Sequence, residues 1–461
     1  MMEGYQSFLA SKHIRSSACG FDVDEGTLPM ALFDWQRRIV VWALRRGRAA
    51  LFTECGTGKT LLQCAWAAAV CRHTGGDVLI LAPLAVAQQT VREAARFGIT
   101  VTRCREQSDV RPGINVANYE RLSHFDAAAF VGVVLDESGI LKSYMGKTKR
   151  ALVDAFRTTR YKLCCTATPA PNDHIELGNH SEFLGVMPSN EMLSRWFIND
   201  TERTGVYMIK GHAAADFWAW VASWSVALRR PSDLGYPDDG FVLPPLQMRQ
   251  VTVRVDMTDP TGERLFRMPE LNATKLHQEM RLTAAARVQA AADLVNGNDE
   301  TWIVWCHTND EADRLVRMIP EAIEVRGAET PESKEQKLVQ FSEERARVII
   351  SKPSLAGFGL NWQHCHNVVF VGMSYSFEEL YQAVRRSWRF KQEHPVNVYL
   401  IVAETEGEIL ATVQKKMAGH EEMLDALIEA TKVAQGRGDL LLTPYDPREE
   451  MVIPHWLRSV A

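Results

Sequence analysis

Hydrophobic positions along this chain cluster in short continuous runs rather than in alternating patterns. "AALFTE" (49–54), "DVLILAP" (77–83), "INVANY" (114–119), "VGVVLDE" (131–137) and "YKLCCTATP" (161–169) each read as a strand buried on both faces. Longer amphipathic stretches separate them. Residues 29–47, "KTLLQCAWAAAVCRH" (59–73) and "LAVAQQTVREAARFG" (84–98) read as helices. Such an alternation predicts a parallel sheet covered by helices on both sides. Past about 185 the pattern changes to a tryptophan-rich helical stretch over 189–230, then the Pro/Gly/Asp-rich linker "RRPSDLGYPDDGFVLPP" (229–245). A second alternation begins at "QMRQVTVRVD" and continues through "TWIVWCHT" (301–308), "RARVIISK", "HNVVFVG" and "PVNVYLIVAE", with helices between. Residues 406–434 read as helical. The expected organisation is an N-terminal segment (1–28), a first α/β lobe (29–185), a helical insert with linker (186–245), a second α/β lobe (246–434) and a tail (435–461).

Composition narrows the class without deciding it. At 461 residues, with 46% hydrophobic and 24% charged, the chain is sized for two or three globular domains. Its longest apolar run, "VLILAPLAVA", is too short to cross a bilayer, so no membrane partner is expected. Nine cysteines without a C-x-x-C pair point to reduced thiols in a cytoplasmic or nuclear compartment. A net charge of −5 confines any nucleic-acid binding to a local basic surface.

The candidate chemistry starts at "LFTECGTGKT" (51–60). Gly56, Thr57, Gly58, Lys59 and Thr60 stand between a buried strand and a helix, as a phosphate loop requires. The glycines free backbone N–H groups for phosphate, Lys59 reaches the β- and γ-phosphates, and the Thr60 hydroxyl binds Mg²⁺. The general pattern also asks for Gly at position 53, where this chain has Thr53. Asp136 and Glu137 end a later apolar strand, as a Mg²⁺-holding carboxylate and a base for the attacking water would. Gln382, Arg386 and Arg389 fall at i, i+4, i+7 on an expected helix and so share one face, an arrangement suited to meeting a γ-phosphate. Three other features remain open or unfavoured. The basic run 142–150, with Arg157, Arg160 and Lys162, fits either a phosphate-backbone contact or a solvated loop. Trp220 and Trp224, at i, i+4, have the spacing of core packing more than of a base-stacking platform. His364-Cys365-His366 lacks the partner cysteine pair a zinc site needs.

Taken in order, these motifs resemble helicase superfamily two, and within it the Snf-type DNA-translocase ATPases. Phe33, Trp35 and Gln36 resemble the adenine-reading Q motif, 54–60 motif I, Ala82-Pro83 motif Ia, Asn118-Tyr119 the motif after it, and Thr166–Pro169 motif III. Asn172, Glu176 and Leu177 resemble the Snf-type extension, and Arg229-Arg230 with Leu243-Pro244-Pro245 the signatures between lobes. In the second half, "TWIVWCHT" resembles motif IV, Gly327, Lys334 and Phe341 a later segment, "PSLAGFGLNWQ" motif V, and "QAVRRSWRFKQ" motif VI. The resemblance implies two tandem RecA-like domains with a helical insert. ATP and Mg²⁺ would be held by Gln36, Gly56–Thr60, Asp136 and Gly359, and Glu137, Gln382, Arg386 and Arg389 would be catalytic. It also implies nucleic-acid contacts at Pro83, Asn118, Lys142, Thr308, Ala356 and Gly357. The implied activity is ATP hydrolysis driving sequence-independent translocation on double-stranded DNA. A strand-separating DNA or RNA helicase and a nucleotide-gated clamp are the alternatives. So bare a core suits a phage or bacterial source and leaves targeting to a protein partner, the insert or the tail.

Several positions depart from the family pattern. Motif II reads Asp-Glu-Ser-Gly, with Ser138-Gly139 where the family has Ala-His, and so lacks the histidine that links nucleotide state to neighbouring motifs. Arg385 replaces an acid and Trp388 a histidine in motif VI. The glutamine after motif I stands one position late, at Gln63.

Overall fold

The computed structural model describes residues 18–83, 86–142, 146–199, 207–255, 273–356 and 361–436. Two compact units divide the chain, one of residues 1–237 with 420–461 and one of 238–419.

In the first unit the strands are β1 (Arg48–Thr53), β2 (Asp77–Ala82), β3 (Val101–Arg103), β4 (Ile114–Asn118), β5 (Phe130–Asp136) and β6 (Tyr161–Thr166). An antiparallel hairpin, β7 (Phe197–Asn199) and β8 (Tyr207–Ile209), stands apart from the sheet, and β9 (Ser225–Leu228) closes the set. Seven strands form one parallel sheet in the order β3-β4-β2-β5-β6-β1-β9. Its central strands are covered on both faces, which is why their sequences are continuously apolar: Val78, Leu79, Ile80 and Leu81 are all fully buried. The helices are α1 (Asp34–Arg46), α2 (Lys59–Thr74), α3 (Ala87–Arg96), α4 (Lys147–Ala155), α5 (Leu177–Leu184), α6 (Ser189–Trp196) and α7 (Ala214–Trp224). The first helix begins five residues later than its hydrophobic pattern predicts. The Gln36 side chain accepts the Phe33 N–H at 3.0 Å and thereby sets its first turn.

Residues 186–237 of the expected insert and linker fall in this unit. β9 pairs in parallel with β1 from Ala50↔Ser225 to Thr53↔Leu228. Trp196, Trp220 and Trp224 are buried in the same core as Phe52, Leu79 and Leu135, with Trp196 and Trp220 stacked at 4.6 Å. Four residues, Ser-Val-Ala-Leu, following directly on a helix carry no period of their own. Only the exposed edge of β1 makes them a strand.

The second unit's strands are β10 (Leu246–Val253), β11 (Trp302–Cys306), β12 (Ile323–Glu324), β13 (Val348–Ser351), β14 (Asn367–Val371) and β15 (Val396–Ala403). They form a parallel sheet in the order β10-β15-β14-β11-β13-β12. Alternate residues feed two apolar layers: Ile303 and Trp305 enter one, Trp302, Val304 and Cys306 the other. Helices α8 (Ala273–Asn296), α9 (Asn309–Met318), α10 (Pro331–Ser342), α11 (Pro353–Ala356) and α12 (Phe377–Val384) connect the strands. The last helix, α13 (Gly407–Gly436), is continuous across the division at Gly419–His420. Ile409, Leu410 and Val413 pack in the second unit's core, whereas Met423, Leu424, Leu427 and Ile428 pack in the first unit's. The expected tail lies outside the described residues from 437 onward. Among the described residues no helix is long and apolar enough to cross a membrane.

Candidate ATPase site

The strand order places three motifs side by side. β5, β6 and β1 are neighbours and parallel, so Asp136, Thr166 and Thr53 end on one edge of the sheet. The phosphate loop leaves β1 there and enters α2. Gly56 (φ +90°) and Gly58 (φ +84°) occupy the left-handed region, and a Cβ on Gly58 would come within 2.6 Å of the Gln36 amide nitrogen. Gln36 is buried; besides accepting from Phe33 N it donates to Thr57 O at 2.8 Å. Its amide thus ties the start of α1 to the loop. The Thr57 hydroxyl donates to Glu54 O at 2.7 Å and lies 2.9 Å from the Thr53 hydroxyl. Thr53 therefore contributes a side-chain contact that the glycine of the general pattern cannot make. Lys59 Nζ donates to Thr53 O and Glu54 O at 2.9 and 3.2 Å, which holds the ammonium over the loop.

Asp136 is buried, and its carboxyl is pushed up to about 7, first by burial and then by the neighbouring Glu137 charge. Gln63 and Lys59 pull the other way. Gln63, fully buried on α2, brings its amide near the Asp136 carboxylate without the alignment of a full hydrogen bond. Glu137 is a non-glycine residue at φ +52°. The Thr166 hydroxyl donates to its Oε2 at 3.4 Å and itself accepts from Thr168 N at 3.1 Å. Tyr119 OH donates to Asp136 O at 2.7 Å beneath the turn. The donor set suits ATP with Mg²⁺: two positive-φ glycines, one of which a Cβ would obstruct, a lysine, a threonine hydroxyl on the first turn of α2, and a buried carboxylate beside a second one.

Gln382, Arg386 and Arg389 belong to the second unit, where the expected helix is shorter than the spacing argument requires. α12 stops at Val384, so Arg386 and Arg389 lie in the turns after it and not on one helical face. Tertiary contacts end the helix: Trp362 N takes the Arg386 carbonyl, Trp388 Nε1 donates to Pro244 O, and Arg385 stacks on Trp388 at 4.2 Å. Arg386 still meets Gln382, donating from Nε to its backbone oxygen and from Nη2 to Oε1 at 2.9 and 3.2 Å.

Pro83 and Asn118 follow or end β2 and β4 on the same edge as the phosphate loop, and Lys142 is exposed after the motif II turn. Thr308 caps α9, its hydroxyl accepting from Glu311 N at 3.2 Å, so it has a structural task. The side chain of Ala356, together with Gly357 and Gly359, lies outside the described residues. The basic run is divided by the fold. Lys162 is the second residue of β6, near the end of that strand opposite Thr166, and donates to Phe183 O.

Two features of the structure have no sequence motif. His180 on α5 meets Ser138, described below. Arg287, Glu311 and Glu406 form a fully buried ion cluster in the second unit, with Arg287 2.8 Å from Glu311 and 3.7 Å from Glu406. Glu311 on α9 and Glu406 in the turn before α13 look like surface charge until the fold brings them together.

Residues 286–391 match the helicase conserved C-terminal domain. This chain carries a helicase C-terminal domain. A solved structure of the Sulfolobus solfataricus SWI2/SNF2 ATPase core in complex with dsDNA is similar over 90% of this chain and 97% of that chain, at 15% identity and a TM-score of 0.42. No curated protein matches in sequence.

Proposed function

We propose that this ATP-dependent nucleic-acid motor is a Snf-type translocase that moves along double-stranded DNA without sequence preference. The observation that carries the ATPase core of this reading is the adjacency β5-β6-β1, which sets Lys59, Asp136, Glu137 and Thr166 on one edge of one sheet. Backbone N–H groups of the Gly56–Thr60 loop and the Lys59 ammonium bind the phosphates. Thr60 and Asp136 would hold Mg²⁺, which would supply neutralisation of the phosphate charge. Glu137, held by Thr166, orients water and accepts its proton. Support for the Snf-type assignment comes from Asn172 and Glu176. Both backbone and amide nitrogens of Asn172 donate to the Glu176 carboxylate, at 3.1 and 2.9 Å, so the extension after motif III is built as a unit.

ATP hydrolysis measured with duplex DNA, single-stranded DNA and RNA tests the proposal, with Lys59→Ala as the inactive control. Duplex stimulation and displacement of a triplex strand without duplex unwinding are expected. Stimulation by RNA alone would sink the translocase reading. Tight nucleic-acid binding with no stimulation, surviving Lys59→Ala, would establish the clamp alternative instead. One observation favours strand separation as a second reading: Ile198 and Met208 face each other across the β7–β8 hairpin and are both about half exposed (48% and 49%). Unwinding of a forked duplex that is lost in an Ile198→Ser/Met208→Ser variant would select that reading.

A further inference from the structure

Motif II of this chain lacks the histidine its family places after Asp-Glu, yet an imidazole still reaches the turn. It comes from α5. His180 Nε2 lies 3.1 Å from Ser138 Oγ, and both side chains are fully buried. The same ring packs edge-on against Phe52 of β1, with centroids 5.3 Å apart, one residue before the strand ends at Thr53. A second contact from α5 grips the far side of the turn, where Asn179 Nδ2 donates to Leu141 O and Lys142 O at 2.8 and 3.2 Å. Between these anchors and β5 stands Glu137, whose left-handed backbone persists only if its neighbours hold it. Tyr119 holds the Asp136 carbonyl on one side. On the other side the first residue is Ser138, and its hydroxyl meets His180.

We propose that His180 is a positioning residue for ATP hydrolysis: through the Ser138 hydroxyl it fixes the turn that presents Glu137, and through Phe52 it links that turn to the strand entering the phosphate loop. The inference rests on the ATPase reading above. Burial keeps the ring neutral, its pKa falling to about 4, so its contribution is a hydrogen bond and a shape and not a charge. The Asp-Glu-Ser-Gly sequence then reads as an exchange of partners. An imidazole reaches this turn from α5, and Ser138 is the group that receives it.

The test compares His180→Leu, His180→Gln and Ser138→Ala in the full chain, singly and as the His180→Leu/Ser138→Ala double variant, by steady-state ATP hydrolysis. The glutamine amide reaches about where Nε2 lies, so it retains the bond; leucine keeps only the packing on Phe52. Loss of the bond is expected to lower kcat about tenfold with KM for ATP unchanged. The glutamine variant should stay within about threefold of the wild type, and the double variant should be no slower than the slower single one. Equal kcat in His180→Leu and wild type would overturn the proposal, as would an equal fall in His180→Gln or effects that multiply in the double variant. Should His180→Leu fail to fold, Ser138→Ala breaks the same bond from the other side, and its kcat decides. A wild type without ATPase would refute the functional reading instead. Amide exchange of residues 137–142, faster in Ser138→Ala than in His180→Gln, then decides the pair alone.

Discussion

Replacing Arg287 by Met should loosen the second unit more than any surface change. Arg287 is fully buried; its guanidinium donates to Thr283 Oγ1, Val371 O and Met280 O, and it lies 2.8 Å from Glu311 and 3.7 Å from Glu406. Glu311 in turn accepts from the backbone N–H groups of His307 and Thr308, both at 2.9 Å, and so anchors the end of β11. Methionine fills much of the volume but leaves two buried carboxylates without their cation. Breaking a buried pair from one side costs about 3–5 kcal/mol, a large part of a domain's ~5–15 kcal/mol. A loss of ~4 kcal/mol corresponds to roughly thousandfold faster amide exchange in β11 and β14, measured by mass spectrometry on the full chain. Acid should relieve the defect. Burial raises the Glu406 carboxyl even with Arg287 present, so in the variant Glu406 takes up a proton readily and the deficit at pH 5 should be smaller than at pH 8. Exchange within fivefold of wild type, or a deficit unaffected by pH, would refute the argument that Arg287 holds the cluster.

Other expected outcomes concern the first unit. Glu137→Gln should keep ATP binding, followed with a fluorescent analogue, while hydrolysis falls about 10²- to 10⁴-fold. Gly58→Ala should weaken ATP binding about tenfold or more, because a Cβ at φ +84° is strained and presses on the Gln36 amide at 2.6 Å; unchanged affinity would contradict the cradle geometry. His180 adds a pH signature. Its folded pKa of about 4 lies below the ordinary 6.5, so the unfolded chain binds the extra proton as pH falls through that interval. Its contribution to stability is complete above about 6.5 and is lost toward 4, ~3 kcal/mol in all. Thermal midpoints of His180→Gln should therefore gain on wild type as the pH falls, whereas a gap constant with pH would count against burial of a neutral imidazole.

Much of this molecule follows from local sequence. The continuous apolar runs 78–82 and 131–135 leave no polar face, so they predict two-sided burial in a parallel sheet, and the glycines at 56 and 58 mark a loop that needs positive φ. These signals lie within a few residues of one another, and local sterics and burial are enough to read them. What neighbours across space supply cannot be read this way. β9 is a strand because the edge of β1 needs a partner, and α12 ends at Val384 because Trp362 and Pro244 claim polar groups beyond it. The same holds for the site. Its phosphate loop and Asp136-Glu137 pair are contiguous motifs, visible in order along the chain. Gln36 against Thr57, Thr166 against Glu137 and His180 against Ser138 are contacts between residues 21, 29 and 42 positions apart. The sequence by itself determined which residues carry the chemistry and which kind of sheet would hold them. Only the tertiary structure decided how Glu137 is held and where the imidazole comes from, because a hydrogen bond between distant elements depends on how they pack and leaves no period or spacing in either segment.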